Sequence, residues 1–133
     1  MQNTPKTIMK WSPSMRGQYV HQATVLMAAG SDPSAPGAAI TLELCGSWEH
    51  EPPCPLAPHH TDYARNGNDV TLRIVFAAEP DKEGDVRRRI ERALAGESLT
   101  KPGGVKTNWT YRGGGPAVLS AAEQEQARRI AAA

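Results

Sequence analysis

At 133 residues the chain is long enough for one hydrophobic core and too short for two. Its 15 basic and 14 acidic residues leave a formal charge of +1, which excludes the broad positive field of a dedicated nucleic-acid binder. No apolar run reaches the length of a bilayer span and Met1 to Lys10 lacks the apolar centre of a secretory leader, so a cytoplasmic protein without membrane contact is expected. Two cysteines are too few for a disulfide framework, although a single Cys45–Cys54 bridge would suit an exported chain.

Residues 1–17 are polar, carry Pro5 and Pro13, and read as an arm that Trp11 and Met15 anchor; residues 18–133 read as a single domain. Val20, Thr24 and Leu26 predict a first strand, because β-branched side chains suit a pleated surface. His21 is expected on the polar side of that strand, opposite Val20. The Gly30–Gly37 stretch, with Pro33 and Pro36, is a loop. Residues 39–49 alternate, with Ile40, Leu42, Leu44 and Trp48 on one side, and predict a second strand. Residues 51–69 form a proline- and histidine-rich excursion that ends in the turn pair Asn66-Gly67. Residues 69–77 alternate again, with Val70, Leu72, Ile74 and Phe76 inward.

A helix follows. Glu79-Pro80-Asp81 opens it, Val86, Ile90 and Leu94 recur at helical spacing, and Gly96 closes it. Val105 to Arg112 predicts a fourth strand, broken by Gly113-Gly114-Gly115-Pro116. Ser120 and Glu123 form the capping box of a last helix that ends near Ile130. That helix follows a flexible glycine connector, and Leu119 and Ile130 are expected at an oligomer interface. The order β-β-β-α-β-α predicts an α+β domain: a small antiparallel sheet with its helices on one face.

The chemistry concentrates in residues 45–60, which hold Cys45, His50, Cys54, His59 and His60. Thiolate and imidazole are the ordinary ligands of zinc, so these five residues are the candidate metal set and zinc the candidate cofactor. The spacing is unlike paired C-x-x-C ligands, and adjacent histidines in an extended chain point to opposite sides. A second reading makes Cys54 a nucleophile with His50 or His59 as its base. A third treats the segment as a proline-stiffened loop without chemistry.

Arg87, Arg88, Arg89 and Arg92 are expected on the solvent side of the first helix, where Arg87, Arg88 and Arg92 are the candidate contacts for nucleic acid. The acids interleaved among them favour an ordinary solvated face. With no nucleophile, base and orienting group to assemble, the sequence favours a non-catalytic binding or assembly module, with a protein partner or a second copy as its target.

Overall fold

A computed structural model describes residues 16–46 and 57–132. The expected arm, with Trp11 and Met15, lies largely outside them. In chain order the elements are β1 (Gly17–Leu26), α1 (Ala35–Cys45), β2 (His59–Asn66), β3 (Asp69–Ala78), a 3-10 turn (Pro80–Lys82), α2 (Glu83–Ala95), β4 (Ser98–Thr100), β5 (Lys106–Asn108), β6 (Thr110–Ala117) and α3 (Ala121–Ala132). Strands β2-β3-β1-β6 form an antiparallel sheet in that order, and β4 and β5 pair as a separate ribbon. The α+β class is as expected, and the helices pack against the sheet.

The element order corrects the expected one. Residues 39–45 are helical, not the start of a strand. Their apolar residues satisfy two periods at once. Ile40, Leu42 and Leu44 alternate, but Ala35, Ala39, Ile40 and Leu44 also recur at helical spacing, and these four are buried while Leu42 is 40% exposed. Pro36 falls in the first turn, where its missing N–H costs nothing. Gly46, with φ 76, ends the helix by donating its N–H to the Leu42 carbonyl.

The missing strand lies further on. β2 occupies residues 59–66, inside the stretch read as an excursion, and pairs with β3 in unbroken register from His59–Phe76 to Asn66–Asp69. Gly67 turns this hairpin at φ 65, a conformation that glycine adopts without strain.

β3 is the centre of the core. Val70, Leu72, Ile74 and Phe76 face α1 and α2, and all four are fully buried. The same face of β1 supplies Ala23 and Val25. α2 adds Val86, Ile90 and Leu94 at 0% exposure, each worth about 1.5–3 kcal/mol relative to leaving it in water. Trp109 closes the core near the end of α2 and donates Nε1–H to the Leu94 carbonyl at 2.9 Å.

The helices do not all share one face. α3 lies on the opposite side, where Ala127, Leu119 and Ile130 pack on Val20 and Val75. Leu119 and Ile130 therefore pack on the chain's own second core. The capping box forms as expected: Ser120 N–H donates to Glu123 Oε1 at 2.8 Å, and Glu123 N–H donates to Ser120 Oγ at 3.1 Å.

Gly113 to Pro116 do not break the chain into a flexible connector. They are part of β6, paired with Thr24 to His21 of β1. The register shifts between Thr24 and Val25, leaving Arg112 as the extra residue of a bulge beside Gly113, whose φ is 115.

Candidate functional site

A concave surface among the described residues lies between α1 and the edge strand β2. It encloses about 250 Å³. Alternation along β2 sends His59, Thr61 and Tyr63 toward α1, and the helix supplies Gly37 and Thr41. Gly37 keeps the two elements close, since a Cβ there would lie 3.2 Å from Thr61 Cγ2.

Hydrogen bonds engage both ring nitrogens of His59. Its Nδ1 lies 3.0 Å from the Ala57 carbonyl, which can only accept, so Nδ1 carries the proton. Nε2 lies 3.0 Å from the Thr41 hydroxyl, which can donate or accept. Thr61 Oγ1 is buried without a hydrogen-bond partner among the described residues. Tyr63 is 49% exposed at the rim. The groove thus presents the hydroxyls of Ser34, Thr41 and Tyr63, the Tyr63 ring and an engaged imidazole.

The loop at the end of β1 is tied to β2 by Arg65. Its guanidinium donates to the carbonyls of Met27, Ala28 and Ser31, at 3.1, 2.7 and 3.1 Å. Asp32, in the same loop, accepts from Lys101 Nζ at 2.7 Å. That bond, with those from Ser34, holds the Asp32 carboxyl down at about 2.

The candidate metal residues occupy different settings. Cys45 ends α1, is 8% exposed and is disulfide-bonded, so its sulfur is not a thiolate. The other cysteine of the sequence, Cys54, and His50 lie outside the described residues. His59 is engaged at both ring nitrogens, and His60, on the opposite side of β2, lies 3.0 Å from Asp62. Among the described residues no group of three or more His, Cys, Asp or Glu side chains gathers to hold a metal ion.

Of the α2 arginines, Arg88 and Arg92 are exposed as expected and Arg87 is not. Arg87 does not face solvent. Only 13% of its side chain is exposed, and it lies against β1 with its Nε 2.8 Å from Glu83. Arg88 is 72% exposed but stands 3.8 Å from Asp85, and Arg92 reaches Glu43 of α1 at 3.3 Å. Each charge has an acidic neighbour, as on an ordinary solvated helix.

Sequence reasoning missed Thr41, Thr61 and Tyr63. The signal was present as the alternation His59, Thr61, Tyr63, Arg65, hidden by Pro53, Pro55 and Pro58 just before it. The chain matches no protein-family model, no curated protein and no solved structure with which it was compared. Among the described residues no helix is long and apolar enough to cross a membrane.

Proposed function

We propose that this chain is a non-catalytic assembly module that joins a second copy of itself along the outer side of β2. The observation that carries the reading is the contrast between the two edges of the main sheet. On β6, Pro116 has no N–H to offer, the Arg112 bulge interrupts the ladder, and Glu97 Oε2 accepts the Tyr111 N–H at 2.8 Å. These are the devices by which natural sheets blunt an edge. β2 has no proline, no lysine and no bulge over its eight residues, and no other described strand pairs with its outer side.

Charge is compatible with self-pairing. Asp62 and Arg65 balance within β2, and the whole chain carries only +1, so two copies meet little repulsion. A two-fold axis through Tyr63 sets the two half-exposed rings opposite each other. Sedimentation velocity over a wide concentration range tests this. The wild type is expected to shift from monomer to dimer, and Tyr63→Lys to stay monomeric. A wild type that remains monomeric throughout, or a variant that dimerises equally well, contradicts the reading.

The disulfide at Cys45 supports an oxidising compartment over the cytoplasm expected from composition. Trapping thiols at lysis of the source cells and counting them in the denatured, unreduced protein reads this directly. No reactive thiol is expected. Two free thiols would place the protein in reducing surroundings.

A further inference from the structure

His21 lies under α2, where the sequence placed it on a polar surface. It is 1% exposed, in the middle of β1, paired with Ile74 of β3 on one side and Pro116 of β6 on the other. Its two ring nitrogens meet opposite charges on α2. Nδ1 lies 3.1 Å from an amino group of Arg87, and Nε2 lies 3.2 Å from Glu91 Oε2.

A guanidinium can only donate, so Nδ1 is the accepting nitrogen and the ring proton sits on Nε2, toward Glu91. The contact with Glu91 is poorly directed for a hydrogen bond, whereas the same amino group of Arg87 also donates to the Val20 carbonyl at 3.0 Å. Arg87 in turn stacks near the Tyr19 and Phe76 rings, at 5.8 and 5.3 Å, and is held by Glu83. A neutral imidazole therefore completes the seat of Arg87, and through it the docking of α2 on β1.

We propose that His21 is a pH-sensitive latch: neutral, it holds α2 against β1, and protonated, it releases the helix. A second ring proton would stand on Nδ1, donor against donor and cation against cation, with Arg87. The groups that bear on this balance come from each neighbouring element. α2 contributes Arg87, Glu91 and Glu83, β1 contributes Tyr19, and β6 contributes Tyr111, which lies within the field of Glu91. The facing residues of β3 are the apolar Ile74 and Phe76.

Glu91 favours the charged ring, but it is 43% exposed and screened by water, while burial and Arg87 oppose charging and prevail. The folded value thus lies below the ordinary histidine value of about 6.5. The sign follows. The contribution of the latch is complete above about 6.5, where both folded and unfolded chains hold His21 neutral, and is lost as pH falls below it, because the unfolded chain takes the proton first.

Amide exchange, corrected for intrinsic rates, tests the latch in the full chain between pH 7.5 and pH 5. Protection of amides in α2 is expected to fall below about pH 6.5, by at most about tenfold per pH unit for one proton, while amides in β3 hold. His21→Gln keeps an acceptor for Arg87 without a titrating ring, and its α2 protection is expected to be flat across the same range. Equal slopes in wild type and variant, or a parallel loss in α2 and β3, overturns the proposal. Should the variant not fold, the His21 ring resonance of the wild type decides: titration below 6.5 sustains the latch, and titration at or above it overturns the latch.

Discussion

Replacing Glu123 with alanine is expected to cost about 3 kcal/mol of stability, among the largest effects of any single polar substitution in this chain. Its carboxylate is 11% exposed and meets Arg73 through two parallel bonds of 2.7 Å, from Nε to Oε2 and from a terminal amino group to Oε1. The same Oε1 accepts the Ser120 N–H. One side chain therefore joins the first turn of α3 to the centre of β3. Its loss leaves Arg73 with Gln22 and the Val118 carbonyl, and leaves a helix-end N–H without its cap. Partial exposure of Arg73, at 28%, keeps the effect below that of a fully buried pair.

The pH dependence has a definite sign. Arg73 beside it holds the Glu123 carboxyl at about 2, against 4.5 for a free glutamate. A depressed acid contributes stability that is complete above 4.5 and is lost as pH falls from 4.5 toward 2. Urea unfolding across that range should show this acid limb in the wild type, with a ceiling of about 3 kcal/mol. Glu123→Gln should be less stable at neutral pH and show a shallower limb. An unchanged limb would show that Glu123 does not set the acid dependence of stability.

Gly114→Ala is expected to cost about 2–3 kcal/mol, and Gly115→Ala almost nothing. A Cβ on Gly114 would stand 2.6 Å from the Gln22 carbonyl oxygen and 2.8 Å from Ala23 Cβ. The nearest obstacle is backbone of the paired strand β1, which cannot swing aside as a side chain can, so β6 must lift from the sheet. At Gly115, one residue along the same strand, a Cβ would meet nothing within 4 Å. Thermal unfolding of the two variants measures the difference. Equal costs at the two sites would show that the glycines act through chain flexibility and not through close approach.

The parts of the fold that were legible in sequence are those where one local rule acts without competition. β3 alternates over ten residues and every inward position is buried. α2 shows a clean stripe between its opening acids and Gly96, and the Ser120–Glu123 box is visible as letters before it is seen as bonds. The failures have physical causes. In α1 two periodicities fit the same apolar residues, and tertiary burial chose the helix. In β6 three glycines and a proline, read as a break, are what lets a strand lie tightly on β1 at a sheet edge.

The site was less legible because its residues act against type. His21 and Arg87 are polar residues in a buried seat, and each is stable there only because the other, with Val20 and Glu83, satisfies it. No pattern in either segment announces that pairing, which spans 66 positions. The cysteine and histidine cluster, conspicuous in composition, resolves at Cys45 into a disulfide and at His59 into a hydrogen-bonded strand residue.

The proposed pairing of two copies along the open edge of β2 is tested by following amide protection, residue by residue, as protein concentration rises. Protection is expected to grow in His59–Asn66 and to stay constant in Thr110–Ala117. Growth confined to the β6 edge, or no growth at either edge, would contradict it.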